Sequence, residues 1–130
     1  MDIFEEQNIP MSLSGGRLGY IRFWPKWMPS KEADLLLELA IKQTPWRHDT
    51  INMMGRTIPI PRLQNWFGTP GTSYKYSSIR LDALEFPSWM EQLRRSIEIQ
   101  TKADFNRALV NYYRDGNDSV DWHADDEASL

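Results

Sequence analysis

The chain contains no cysteine. That absence excludes a disulfide framework and every metal site built on thiolates. No run of eighteen apolar residues occurs, which argues against a membrane-spanning helix. The opening stretch, Met1 to Asn8, is acidic and has no apolar core, so it does not read as a secretory signal. Internal repeats and low-complexity tracts are missing too. The expectation that follows is an intracellular protein, cytoplasmic or nuclear, with no membrane partner and acting as a monomer.

What is present is an ordinary globular composition rich in rings. Hydrophobic residues make up 41% and charged residues 25% of the 130, figures that suit one domain. Six Trp, five Tyr and five Phe supply large apolar faces to be buried or stacked upon. The net charge of −3 conceals an uneven spread. Residues 1–16 carry three acids and no base, and residues 17–107 carry fourteen Lys and Arg against nine Asp and Glu. Residues 108–130 carry Arg114 against six acids. A basic body with an acidic end suits a polyanion partner beside a cation site. A mixed solvated surface accounts for the same charges, and charge alone does not choose.

Residues 1–16 read as a flexible lead-in ending in Ser14, Gly15 and Gly16, and residues 17–130 as a single α+β domain. Leu18 to Trp24 alternates loosely, as a strand would. Ser30 is placed to cap a helix, with Glu32 in its first turn. Ala33, Leu36, Leu37, Ala40 and Ile41 follow at the spacing of one helical face, and Pro45 stops it. Between Ile51 and Ser78, short runs are cut by Gly and Pro. The two prolines within Arg56 to Arg62 remove ladder donors, so that segment is a hairpin or an edge. Gly68 to Gly71 reads as a turn and Ser73 to Ser77 as a short strand. A second helix is expected from about Pro87 to Lys102, with Trp89, Leu93 and Ile97 as its stripe. Leu109 to Tyr113 and Val120 to Asp125 read as two strands joined by the turn Asp115 to Asp118.

The end of the chain carries the chemistry. On a strand, positions i and i+2 face the same way, so His123 and Asp125 would share a face. An imidazole and a carboxylate so placed can hold two adjacent positions of an octahedral divalent metal. A second histidine would complete the facial triad of non-haem iron(II) oxygenases. His-x-Asp alone is short, and chance supplies it readily. Its surroundings say more: Asn111-Tyr-Tyr113-Arg-Asp-Gly-Asn-Asp118 runs on to Val120-Asp-Trp-His123-Ala-Asp125-Asp126-Glu127. This stretch resembles the N-x-Y-x9-H-x-D-D-E signature of AlkB-like iron(II)/2-oxoglutarate dioxygenases. Pro61 to Gly68 and Ser73 to Ser77 are similar to that family's P-R-x-x-x-[WY]-[YF]-G and Y-x-[FY]-S segments. The three segments stand in the family's order, and the likeness extends over residues 18–130.

The resemblance implies a fold, a chemistry and a set of roles. The fold would be a double-stranded β-helix, or jelly roll, present here in part and backed by the two helices. The cofactors would be Fe(II) and 2-oxoglutarate, with O2 consumed. The reaction would be oxidative dealkylation of bases in DNA, with RNA as the alternative, in the service of repair. His123 and Asp125 would be iron ligands, and Asn111 and Tyr113 would bind the carboxylates of 2-oxoglutarate. Asp126 and Glu127 would meet the exocyclic amine of a flipped base. Tyr76 would pack that base against His123, with Arg62, Tyr74 and Ser77 lining the pocket. Met54 would be an apolar wedge, filling the gap the base leaves. Plain structural readings stand beside these: Tyr74 and Tyr76 as core, Asn111 and Tyr113 as strand packing, Met54 as a turn residue, Asp126 and Glu127 as a solvated turn.

The family also uses a later histidine and an arginine, and this chain holds neither after His123. His48 stands where the family places no ligand, and it reads as an ordinary loop or packing residue. The expectation is a dioxygenase domain truncated after His-x-Asp and inactive on its own. The competing reading is a degenerate, non-catalytic nucleic-acid-binding fragment that holds no metal.

Overall fold

The computed structural model describes residues 6–76 and 78–124. In chain order the elements are β1 (Gln7–Ser12), a 3-10 turn (Ser14–Gly16), β2 (Leu18–Phe23), α1 (Ser30–Gln43), β3 (Thr50–Met53), β4 (Arg56–Pro59), β5 (Leu63–Gly68), β6 (Ser73–Tyr76), β7 (Ile79–Asp82), α2 (Ser88–Thr101) and β8 (Arg107–Tyr112). All strand pairs are antiparallel, and the class is α+β as expected. Two compact units divide the chain between Glu38 and Leu39. No helix among the described residues is long and apolar enough to cross a membrane.

The first unit corrects the reading of residues 1–16 as lead-in, because Gln7 to Ser12 form β1. This strand pairs with β2 in register from Gln7 opposite Phe23 to Ser12 opposite Leu18. The reversal uses Gly15 and Gly16 at φ of 73° and 72°, a region that costs a glycine nothing sterically. Pro10 is tolerated because a two-stranded ribbon has only edge strands. α1 begins at Ser30 itself, not after it: the Pro29 carbonyl accepts from the Glu32 and Ala33 N–H groups at 3.0 Å each. Of the expected stripe, Ala33, Leu36 and Ala40 are half-buried while Leu37 is 60% exposed. Leu39 replaces Leu37 on the covered side. The indole N–H of Trp46 donates to the Ile41 carbonyl at 3.0 Å, meeting one of the orphan acceptors at the helix end.

The second unit is organised by β5. One edge pairs with β8, from Leu63 opposite Tyr112 to Gly68 opposite Arg107. The other edge bonds Arg47 through Gln64, 3.0 Å in both directions, and Leu84 through Trp66 and Gly68, 2.9 Å each. Side chains therefore alternate between two faces of the β5–β8 pair. On the face of Trp66 and Leu109 sits the hairpin β6–β7, whose Tyr74, Ile79 and Leu81 form one core with Trp66 and Ile60. The Trp66 and Tyr74 rings stack with centroids 4.8 Å apart. On the face of Phe67 and Ala108, α2 contributes Met90, Leu93 and Ile97 to an apolar cavity that Ala108 also lines. Trp46 meets Tyr112 on that same face, rings 5.4 Å apart.

The expected second helix is present within a residue at each end. Its Arg94 binds Glu91 in a bidentate pair at 2.6 and 2.8 Å, Glu98 at 2.9 Å and the Phe105 carbonyl at 2.8 Å. Glu98 in turn accepts from the Phe105 N–H at 2.9 Å. Residues between α2 and β8 are thereby tied to the helix that precedes them. The expected strand from Val120 to Asp125 is not found: residues 120–124 form no strand, having no ladder partner among the described residues.

Leu81 is fully buried in the core beneath Trp66, whereas Ile99 of α2 is 80% exposed. Leu81→Ala is expected to lower unfolding stability by about 2–5 kcal/mol, and Ile99→Ala by less than about 0.5 kcal/mol, measured by urea denaturation. A loss at Leu81 no larger than that at Ile99 would show that the β6–β7 hairpin does not form the core.

Candidate metal and co-substrate site

The β5–β8 ladder places the first candidate, Asn111. Because Gln64 directs its own N–H and C=O to Arg47, the Gln64–Asn111 pair is one of the non-hydrogen-bonded pairs of the ladder. In such pairs the two side chains stand closest, on one face. Asn111 is exposed there, and Tyr113, two residues on, is 41% exposed just past the strand end. The neighbouring Gln64 is 1% exposed, and its Nε2 donates to Asp49 at 3.1 Å. Asp49 is itself held by Arg47 at 2.6 Å.

From Tyr113 the chain enters a turn closed by its own charges. Asp118 accepts three hydrogen bonds from Arg114: backbone N–H at 2.9 Å, Nε at 2.7 Å and a terminal guanidinium nitrogen at 2.8 Å. Asp115 accepts from the Asn117 N–H at 2.8 Å, and the Asp118 N–H returns to the Asp115 carbonyl at 3.2 Å. The side chain of Asp118 is only 7% exposed. Its carboxyl is held down to about 2, first by the Arg114 side-chain hydrogen bond, then by the Arg114 backbone N–H, with the charge of His48 adding least. The Arg114 guanidinium is raised by the same contact. The sequence marked these residues as a turn but not as an ion-paired clasp. An acid four residues after an arginine, around a glycine, was the available signal.

Beyond the clasp lies His123, exposed, with Nδ1 2.7 Å from the Asp121 carbonyl. A carbonyl only accepts, so Nδ1 is the donor in this contact, and the neutral form of a ring so held presents Nε2 as its acceptor. Metal-binding histidines are oriented in the same way, by a carbonyl or carboxylate on the far nitrogen. Asp125, Asp126, Glu127 and Ser77 lie outside the described residues. Among the described residues no three His, Asp or Glu side chains converge. The imidazole fits an Fe(II) ligand in tautomer, and the carboxylate expected beside it is Asp125. His48 turns Nε2 to the Ile60 carbonyl at 2.9 Å, a packing contact.

The residues expected at a base are distributed over three places. Arg62 is buried, 9% exposed, directly before β5. Tyr74 is 5% exposed and stacked on Trp66 within the core. Tyr76 ends β6. Met54 stands at the tip of the β3–β4 hairpin, 99% exposed. Its φ is 50° and that of Gly55 is 75°, the two positive values of a turn in which Asn-Gly is the favoured pair.

Comparison with known proteins places this geometry in context. Residues 20–130 match the family model of the 2OG-Fe(II) oxygenase superfamily. The chain is 39% identical over 123 residues to the alpha-ketoglutarate-dependent dioxygenase alkB homolog 3 of Mus musculus, covering 92% of this chain and 42% of that protein. The Homo sapiens counterpart is 37% identical over the same shares. The DNA oxidative demethylase ALKBH2 of Homo sapiens is 31% identical over 80 residues, 62% of this chain and 31% of that protein. The chain thus spans about two fifths of the length of the alkB homolog 3 relatives it matches.

The clasp makes a pH prediction. A carboxyl whose folded value lies below its unfolded value of 3.8 stabilises the fold above that value, and the contribution is lost as pH falls through about 2. The amide proton of Arg114, which donates to the Asp118 carboxylate, should stay protected from exchange down to about pH 3. In Asp118→Ala, which removes the acceptor, it should exchange freely even at neutral pH. Equal protection in the variant at pH 7 would remove the clasp from the site.

Proposed function

Because this chain belongs to the 2OG-Fe(II) oxygenase superfamily, on its AlkB-like side, we propose that its residues serve the oxidative removal of alkyl groups from nucleic-acid bases, DNA first and RNA as the second candidate. The observation that carries this reading is the His123 imidazole, two residues before Asp125, with its Nδ1 oriented by the Asp121 carbonyl at 2.7 Å. The open edge of β8 supports a jelly-roll continuation of the sheet, since no strand among the described residues pairs there.

In this reading His123 and Asp125 hold the iron. With 2-oxoglutarate and O2 the bound metal supplies the oxidation of an alkyl carbon on a base nitrogen. The chain's own residues do the rest. Asn111 donates from its carboxamide, and Tyr113 from its hydroxyl, to the carboxylates of 2-oxoglutarate. The clasp between Arg114 and Asp118 sets the path from these donors to the metal ligand. Arg62, Tyr76 and Ser77 shape the base pocket, Tyr74 backs it from within the core against Trp66, and Asp126 and Glu127 accept from the exocyclic amine. Met54 enters the space vacated in the stack.

Mn(II) is a paramagnetic substitute for the iron, and it should broaden the imidazole signals of His123 in the purified chain. His123→Ala and Asp125→Ala should each weaken this binding at least about tenfold, since each removes one ligand. Unchanged Mn(II) affinity in both variants would sink the metal assignment.

A second prediction concerns the hairpin tip. Met54→Asn restores the residue preferred in this turn, so it should stabilise the hairpin by a few tenths of a kcal/mol while weakening binding to duplex DNA several-fold. Unaltered duplex affinity would return Met54 to the role of a turn residue.

A further inference from the structure

The β5–β8 ladder contains a buried acceptor that nothing in the described structure meets. Gln64 is 1% exposed, and its Oε1 has no hydrogen-bond partner among the described residues. The identity of that oxygen is fixed by chemistry, because the other prong of the carboxamide faces the Asp49 carboxylate at 3.1 Å and must be the donor. Asp49 is 12% exposed and pinned by Arg47, so the carboxamide cannot simply turn over. A buried carbonyl without a donor is a standing cost to the fold, and native structures keep few of them.

Two donors stand on the same face of the ladder. The indole N–H of Trp66 is also unmet among the described residues, but its ring is 1% exposed and locked in the stack with Tyr74. It cannot swing towards Gln64 without breaking the core. Asn111 is the direct cross-strand neighbour of Gln64 in a non-hydrogen-bonded pair, and it is exposed. Its carboxamide carries two N–H donors and rotates at little cost.

We infer that Gln64 is the positioning residue of Asn111. Its Oε1 accepts one N–H of the Asn111 carboxamide, and this aims the second N–H at a carboxylate of 2-oxoglutarate. The inference rests on the co-substrate role proposed for Asn111 above, and it adds the residue that sets the orientation of that donor. A chain of contacts then runs from Arg47 through Asp49 and Gln64 to Asn111.

The test is made on the whole chain by NMR of side-chain amides. In the wild type, one of the two Asn111 amide protons should be shifted downfield and exchange slowly. Gln64→Met keeps the length and removes the acceptor, so both protons should become solvent-like while the β5–β8 backbone signals persist. Should that variant not fold, Asn111→Ala, an exposed substitution, should shift the Gln64 side-chain carbonyl resonance. Binding of 2-oxoglutarate with Mn(II) gives the second readout. Gln64→Met should weaken it about fivefold when Asn111 is present and not at all in an Asn111→Ala background. Unperturbed Asn111 amide signals in Gln64→Met, or an unmoved Gln64 carbonyl in Asn111→Ala, overturns the inference. If those amide signals respond but the wild type binds no 2-oxoglutarate, the co-substrate reading falls and the Gln64–Asn111 contact stands.

Discussion

The second unit depends on one closure, the antiparallel ladder between β5 and β8. Its strands are separated in sequence by the β6–β7 hairpin and by α2, so the closure joins the two ends of this unit's later half. The hairpin covers the face of Trp66, and α2 lies towards the face of Ala108. Each covers one side of the same two strands, and neither buries its apolar residues alone. The ladder also decides which residues meet. Gln64 and Asn111 are neighbours by register, and because Gln64 gives its backbone groups to Arg47 on the other edge, theirs is a pair whose side chains stand closest.

The tie between α2 and the start of β8 protects that register. Arg94 holds Glu91, Glu98 and the Phe105 carbonyl at once, and Glu98 answers with the Phe105 N–H. The contact lowers Glu91, chiefly through the Arg94 hydrogen bond, and raises Arg94 through the same bond. A strand entering from a fixed point cannot slip by one residue. Such a slip would send Asn111 to the opposite face.

What the sequence disclosed followed from local periodicity. α2 was legible from Trp89, Leu93 and Ile97, and α1 from Ala33, Leu36 and Ala40, because a helix declares its face within two turns. The clasp region was legible as a turn from Gly116 and its acids. β5 was not legible as a strand, because Gln64 and Asn65 interrupt its apolar run. Both are buried, and their partners are Asp49 and the Pro45 carbonyl, fifteen and twenty residues away. Polar residues tolerated by distant partners look, in sequence, like a loop. β1 was hidden by Pro10 and the following glycines, and Val120 to Ala124 alternated like a strand without a neighbour to pair with. The three family segments supplied the candidate site residues, but no spacing could say that Gln64 faces Asn111.

Met54 and Gln64 are at odds with the fold around them, in opposite senses. Met54 is an apolar side chain 99% exposed, in a left-handed backbone conformation that methionine disfavours. Gln64 is a polar side chain 1% exposed, with an acceptor that no described residue satisfies. Folding alone would favour asparagine at the first and an apolar residue at the second. Local misfits of this kind concentrate where a protein meets something else, because the missing partner then comes from outside the fold. An exposed apolar tip asks for a surface to enter. A buried acceptor beside an exposed carboxamide asks for a donor, which the inferred turn of Asn111 towards Gln64 supplies. The hairpin and the ladder thus carry complementary misfits, an apolar side chain left in solvent and a polar acceptor left in the core.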